Sequence, residues 1–235
     1  MADALTRPEA TRRTFTATPH PELGAAGRKY AVEAIGTFFL AFTVATSVLS
    51  GSVYTPLAAG AVLMVMIYAG GHISGGHYNP AVTMAVLVRR RISIGDAVGY
   101  WIAQIVAGIV AGAVARAIVD PATVHTLTLS GRAFTAAALA ELLFTFALCY
   151  VVLNVATSKD QPGNQFFGLA IGFTVAAGAF AVGGVSGGSF NPAVTFGAAT
   201  AGAFAWSTLW IYFLVQFGAG ALAALAFRAL NPTDK

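Results

Sequence analysis

The sequence predicts an all-α membrane protein: six transmembrane helices plus two re-entrant half-helices, arranged as an inverted repeat. Three observations carry this prediction. The chain of 235 residues is 57% hydrophobic and only 9% charged, against about 25% charged in a soluble domain. Ten residues, Ser74-Gly75-Gly76-His77-Tyr78-Asn79-Pro80-Ala81-Val82-Thr83, return as Ser186-Gly187-Gly188-Ser189-Phe190-Asn191-Pro192-Ala193-Val194-Thr195, eight of the ten identical, at an offset of 191 − 79 = 112. Each copy opens a short apolar segment, at Asn79 and at Asn191, of about ten residues, half of what a helix needs to cross a bilayer.

Along the chain, residues 1–28 are polar and threonine-rich, with Pro8, Pro19 and Pro21, and read as a disordered cytoplasmic tail. The apolar runs that follow predict spans over 30–50, 56–70, 94–119, 134–156, 166–182 and 205–228. The first run is too long for a signal-peptide core and reads as a retained span. Gly70-Gly71 and Gly183-Gly184 read as the points where the chain breaks before each half-helix. Residues 29–230 then form one membrane domain, with repeat 1 over about 30–119 and repeat 2 over about 134–228, and 231–235 form a C-terminal tail. The repeat extends beyond the motif: Gln104 and Gln216, Gly108 and Gly220, and Gly60 and Gly172 all keep the 112 offset, while Glu33 and Glu141 keep one of 108. Each repeat is span, span, half-helix, span. Three spans is an odd number, so the second copy is inverted in the membrane.

The net charge of +4 is not a nucleic-acid footprint, because of where the basic residues sit. With six spans, Arg7, Arg12, Arg13, Arg28, Lys29, Arg89, Arg90, Arg91, Lys159, Arg228 and Lys235 share one side, and only Arg116 and Arg132 fall near the other. The positive-inside rule places both termini in the cytoplasm of a multi-pass cell (plasma) membrane protein. Cys149 stands alone in an apolar run and reads as a small buried hydrophobe. No Ser/His/Asp set, metal-ligand spacing or phosphate loop appears, so the sequence offers nothing to an enzyme reading and implies no cofactor and no metal.

The repeated loops carry the chemistry. Each Asn is placed to cap its half-helix, with Pro at the first helical position. Each half-helix N-terminus carries roughly half an elementary positive charge. Two such ends facing each other oppose a cation or hydronium and leave a neutral solute nearly unaffected. The Asn79 and Asn191 amides are placed to donate to an oxygen passing between them. Gly75, Gly76, Gly187 and Gly188 let backbone carbonyls line the approach. Glu33 and Glu141 are carboxylates inside spans, which marks them as functional candidates. They serve either proton coupling or as acceptors for their own loops' N–H groups, and their matched positions favour the second. Gln104 and Gln216 read as further loop supports. His72 and His77 read as polar lining of the cytoplasmic re-entrant loop.

The run Gly71-His72-Ile73-Ser74-Gly75-Gly76-His77 followed by Asn79-Pro80-Ala81-Val82-Thr83, with Asn191-Pro192-Ala193 and Phe196-Gly197 in the second copy, closely resembles the aquaporin (major intrinsic protein) family over about residues 30–228. The resemblance implies a channel domain, a homotetramer with one pore per subunit, and passive flow of water or small neutral solutes across the lipid bilayer. It also exposes a departure. The family's second loop carries Arg directly after Asn-Pro-Ala, and here that position is Val194. Counting from the two Asn residues assigns the other positions of the narrow outer filter to Ala59, Ala179 and Gly188. Such a filter has no charge, no aromatic and no bulky side chain, unless Tyr54, Phe180 or Phe190 narrows it. The expectation is a channel for small uncharged solutes of the polyol, urea or metalloid-acid type, with water also passing. A strict water channel, a proton-coupled carrier using Glu33 and Glu141, and a non-conducting membrane scaffold stay open at this level.

Overall fold

The computed structural model describes residues 24–120 and 125–234. Most of the expected N-terminal tail, residues 1–23, lies outside the described residues. Eight α-helices follow: α1 (Ala25–Leu49), α2 (Thr55–Ser74), α3 (Pro80–Val88), α4 (Ile94–Ile118), α5 (Gly131–Thr157), α6 (Phe167–Ser186), α7 (Pro192–Ala201) and α8 (Leu209–Leu230), the last entered through a short 3-10 turn at Trp206–Thr208. Six are long and apolar enough to cross a membrane, and α3 and α7 are not. This is an integral, multi-pass membrane fold. Its outward faces stay apolar, with Ile35, Phe39, Ile102, Phe213 and Leu214 all exposed, as expected of faces turned away from water in a membrane fold.

The helices start and stop for local reasons. Residues Ala25–Arg28 belong to α1, so the tail expected over 1–28 ends earlier than its composition suggests. Ser93 caps α4 by accepting the Asp96 N–H at 3.0 Å, and Asp96 sits in the first turn, where its charge suits the helix dipole. The expected breaks at Gly70-Gly71 and Gly183-Gly184 are wrong by several residues: α2 runs to Ser74 and α6 to Ser186. The chain turns at Gly75 (φ +90°) and Gly187 (φ +85°), a left-handed conformation that glycine adopts without strain. The earlier glycines serve the returning loop instead. A Cβ on Gly76 would lie 3.3 Å from the Gly71 Cα, and one on Gly188 would lie 3.2 Å from the Gly183 Cα.

The two sequence offsets have one structural cause. The α1–α2 connection spans residues 50–54 and the α5–α6 connection spans 158–166, five residues against nine. The difference of four is 112 − 108, so α1 and α5 match at 108 and everything from the second helix onward matches at 112.

Packing crosses between the repeats. Within each repeat the first helix packs on the second and the third span, α1 on α2 and α4, α5 on α6 and α8. Each half-helix docks mainly on the other repeat, α3 against α8 and α7 against α4. Two glycines make this docking possible. A Cβ on Gly108 would lie 2.2 Å from the Ala193 carbonyl oxygen, and one on Gly220 would lie 2.3 Å from that of Ala81. The same intimacy joins α2 to α6, where Gly60 and Gly172 face each other's carbonyls.

Candidate functional site

The half-helices α3 and α7 meet N-terminus to N-terminus at the centre of the molecule, and their Asn residues are shared between the loops. Asn79 Oδ1 accepts the Ala81 N–H at 2.8 Å, and Asn191 Oδ1 accepts the Ala193 N–H at 2.9 Å. The amides then cross over. Asn79 Nδ2 donates to the Phe190 carbonyl and Asn191 Nδ2 to the Tyr78 carbonyl, each at 2.9 Å. An amide nitrogen has two hydrogens, so each Asn keeps one donor beyond this network. The acceptor carbonyls are presented by strained backbone, since Tyr78 (φ 48°) and Phe190 (φ 47°) are non-glycine residues in the left-handed region, a conformation that costs about 1–3 kcal/mol.

Two buried carboxylates offset that strain. Glu33 Oε1 accepts Ser74 Oγ (2.7 Å) and the His77 N–H (2.9 Å), and its Oε2 accepts the Tyr78 N–H (2.6 Å) and Gln104 Nε2 (2.8 Å). Glu141 repeats the pattern. Its Oε1 accepts Ser186 Oγ (2.8 Å) and the Ser189 N–H (3.0 Å), and its Oε2 accepts the Phe190 N–H (2.8 Å), Gln216 Nε2 (2.8 Å) and Ser189 Oγ (3.2 Å). Tyr100 Oη donates to the Ser74 carbonyl at 2.5 Å and Tyr212 Oη to that of Ser186 at 2.6 Å. Sequence reasoning missed Ser74, Ser186, Tyr100 and Tyr212 as loop supports, although each pair keeps the 112 offset.

Three neighbouring cavities line up past this centre, sharing wall residues. The narrow lumen has a water-accessible volume of about 40 Å³, room for roughly three waters at about 10–15 Å³ each. Asn79, Asn191, Gly76, Gly187, Gly188 and Val194 line it. Its walls are otherwise largely aliphatic, from pairs the sequence reading missed: Leu40 with Leu148 and Val44 with Val152 at offset 108, Leu63 with Val175 at 112. Among the described residues, no Lys, Arg, Asp or Glu lines it. The lumen opens into a vestibule of about 610 Å³ on the side where α1 begins and α8 ends, past His77 and Val152, which line both spaces. At the other end Thr55 and Gly187 join it to an outer cavity of about 360 Å³.

Of the positions assigned to the outer filter, Ala59, Gly188 and Val194 line the lumen. Ala179 lines the outer cavity beside Gly187 rather than the lumen, although its Cα lies only 3.3 Å from where a Cβ on Gly188 would sit. None of the three candidate aromatics lines the lumen or the outer cavity. Tyr54 and Phe180 are exposed, and Phe190 is buried against Phe144. His77 is buried, shares a 3.0 Å hydrogen bond between its Nδ1 and Thr83 Oγ1, and meets Tyr100 edge-on. His72 departs from expectation. It lies in the last turn of α2, not in the loop, and is exposed. The helix continues past it because the turn waits for Gly75. Gly75 lines the vestibule. His125, unremarked in the sequence, lines the outer cavity.

Residues 28–227 match the family model described as major intrinsic protein. The chain is 41% identical over 220 residues to the glycerol uptake facilitator protein-like 6 of Lactiplantibacillus plantarum, covering 88% of this chain and 100% of that protein. It is 36% identical over 234 residues to the probable aquaporin TIP3-2 of Arabidopsis thaliana, covering 97% and 86% of the two chains. The fold is that of the aquaglyceroporin from Plasmodium falciparum, with a TM-score of 0.74 at 18% identity over 88% of this chain and 98% of that one. With crossed half-helices, a lumen between them and this breadth of match, the chain belongs to the major intrinsic protein (aquaporin) family of membrane channels.

Proposed function

We propose that the protein is a passive, bidirectional channel for small uncharged solutes, with water also passing, and that the paired half-helix N-termini exclude protons and ions. The observation that carries this reading is that, among the described residues, no charged side chain lines the lumen that Val194 lines. Ala59, Gly188 and Val194 offer a solute apolar contact, and backbone carbonyls with the spare Asn79 and Asn191 donors offer its polar groups their partners. Polyols, urea and undissociated metalloid acids have this chemistry, and relatives named for glycerol uptake and for aquaporin activity accord with it. Fixed positive ends of α3 and α7 meet in a space too narrow for a full hydration shell, where a cation loses the most solvation. The basic residues cluster on the side of the termini, which supports a cytoplasmic placement of both ends in the cell membrane. An apolar hollow lined by exposed Phe213 and half-buried Trp101 and Phe217 supports a homotetramer.

One observation favours a second reading, a strict water channel: a lumen of about 40 Å³ holds only about three waters. Stopped-flow light scattering on proteoliposomes with water, glycerol and urea separates the two. We expect all three fluxes to rise above empty vesicles, and swelling by water alone would sink the solute reading. Val194→Arg adds a long cation to the lumen wall, so it should cut glycerol and urea more than water. An equal loss of all three, or none, would remove Val194 from the constriction.

A further inference from the structure

The segment after α8, expected to be a tail, is instead tied to two residues of the vestibule wall, Arg91 and Lys159. Asp234 is 2% exposed. Its Oδ1 accepts Arg89 Nη2 at 2.6 Å and Arg91 Nη2 at 3.1 Å, and its Oδ2 accepts the backbone N–H of Lys159 at 2.9 Å. Lys159 Nζ donates back to the carbonyl and hydroxyl oxygens of Thr233, each at 3.1 Å. One carboxylate thus joins three distant stretches of chain: the end of α3, the α5–α6 connection and the C-terminus. Arg89 is wholly buried, its guanidinium carbon 4.6 Å from the Phe227 ring centroid, and its Nε and Nη1 have no partner. Its charge is therefore balanced through Asp234.

Two of the groups Asp234 holds face the permeation path. Arg91 and Lys159 line the vestibule of about 610 Å³, and Asp234 stands behind them. The other acid there, Asp96, is already engaged with Lys29 at 3.3 Å and Tyr30 at 3.2 Å. Lys159 sits in the connection whose four extra residues distinguish the second repeat from the first. The longer connection is the one that needs tethering.

We propose that Asp234 is a latch that keeps this mouth of the pore open, by holding the α5–α6 connection and the Arg91 side chain against the wall. Released, the connection carrying Lys159 and the unpaired Arg91 guanidinium occupy the vestibule in front of His77 and Val152, and flux falls. The latch goes beyond the transport reading and does not depend on which solute passes.

The test uses the full chain in proteoliposomes whose terminal side faces outward, with limited trypsin and water flux measured on the same preparation. Lys159 is the only Lys or Arg between Arg132 and Arg228, so a cut there is recognised by the new chain end it creates within 133–227, scored at early times before Arg228 is cut. Asp234→Ala should be cleaved at Lys159 at least about tenfold faster than the wild type, the factor for one charge-assisted hydrogen bond, and its water permeability should fall. The double variant Arg89→Leu/Asp234→Ala strands no buried cation, so it carries the test if the single variant misfolds, and it should behave the same way. Unchanged cleavage would show that Asp234 does not hold the connection. Faster cleavage with unchanged or higher flux would show a tether that does not govern the mouth. Either result overturns the latch.

Discussion

Asn79 and Asn191 show how far a residue's role depends on accounting for every polar atom. Capping uses the oxygen, the opposing loop uses one amide hydrogen, and a single donor per Asn is left for a passing oxygen. Replacing Asn191 by Asp removes the donor to the Tyr78 carbonyl and sets a negative charge where the half-helix ends are positive. On the proposed reading, in which the wild type excludes cations, Asn191→Asp admits them, read as a cation leak in vesicles under a salt gradient that the wild type does not show. A leak-free variant would locate the barrier elsewhere. Glu141 is tied to the same loop by five accepted hydrogen bonds. Glu141→Gln turns one accepting edge into a donor facing N–H and O–H groups. Each buried group left without a partner costs about 1–3 kcal/mol, so the thermal midpoint in detergent should drop clearly. An unchanged midpoint would show that the carboxylate is not the loop's brace. The spent lone pairs also argue against a proton-coupled carrier built on Glu33 and Glu141.

At the scale of elements, function rests on how closely half-helices and spans approach. Gly220→Ala would put a Cβ 2.3 Å from the Ala81 carbonyl oxygen. That contact is with backbone, so α3 must move or the packing must fail, at a typical overpacking cost of about 1–3 kcal/mol. We expect lower thermal stability together with lower water flux, because the Asn79 cap moves with α3; full activity in this variant would mean that α8 yields instead. The clasp at Asp234 links elements in another way. The Lys159 backbone N–H, and then the Arg89 guanidinium, hold its carboxyl below the usual aspartate range. A carboxyl whose folded pKa is depressed stabilises the fold above its unfolded pKa, about 3.9, and loses that contribution as pH falls through the lower folded value. The difference in thermal midpoint between wild type and Asp234→Ala should therefore stay constant from neutral pH down to about 5 and shrink only below about 4. Shrinkage already near pH 6 would contradict this assignment.

At the scale of the whole molecule, the inverted repeat places two equivalent loops against each other, so that positive ends meet and walls match. A narrow lumen between two wide vestibules follows from this arrangement. Among the described residues no charged side chain lines the lumen, so on the proposed reading exclusion of charge falls to the half-helices. Vesicles that pass glycerol and water should then show no proton flux under a pH gradient, followed with an entrapped dye. Dissipation of the gradient above the empty-vesicle rate would refute helix-end exclusion.

The sequence by itself determined the number of spans, the two short helices, their inverted relation and the equivalence of Glu33 with Glu141 and Gln104 with Gln216. These follow from hydropathy, span length and repeat register, which are local or periodic properties of the chain. It also carried the Val194 departure, since that position lies within the motif. Only the tertiary structure decided where the helices turn, because a left-handed glycine is used only where the loop must return over the helix. Tertiary packing likewise separated exposed His72 from buried His77, placed Ala179 beside the outer cavity, and turned the expected tail at Asp234 into a clasp. Each of those outcomes depends on atoms brought together from far along the chain, through hydrogen bonds and close contacts that no local pattern encodes.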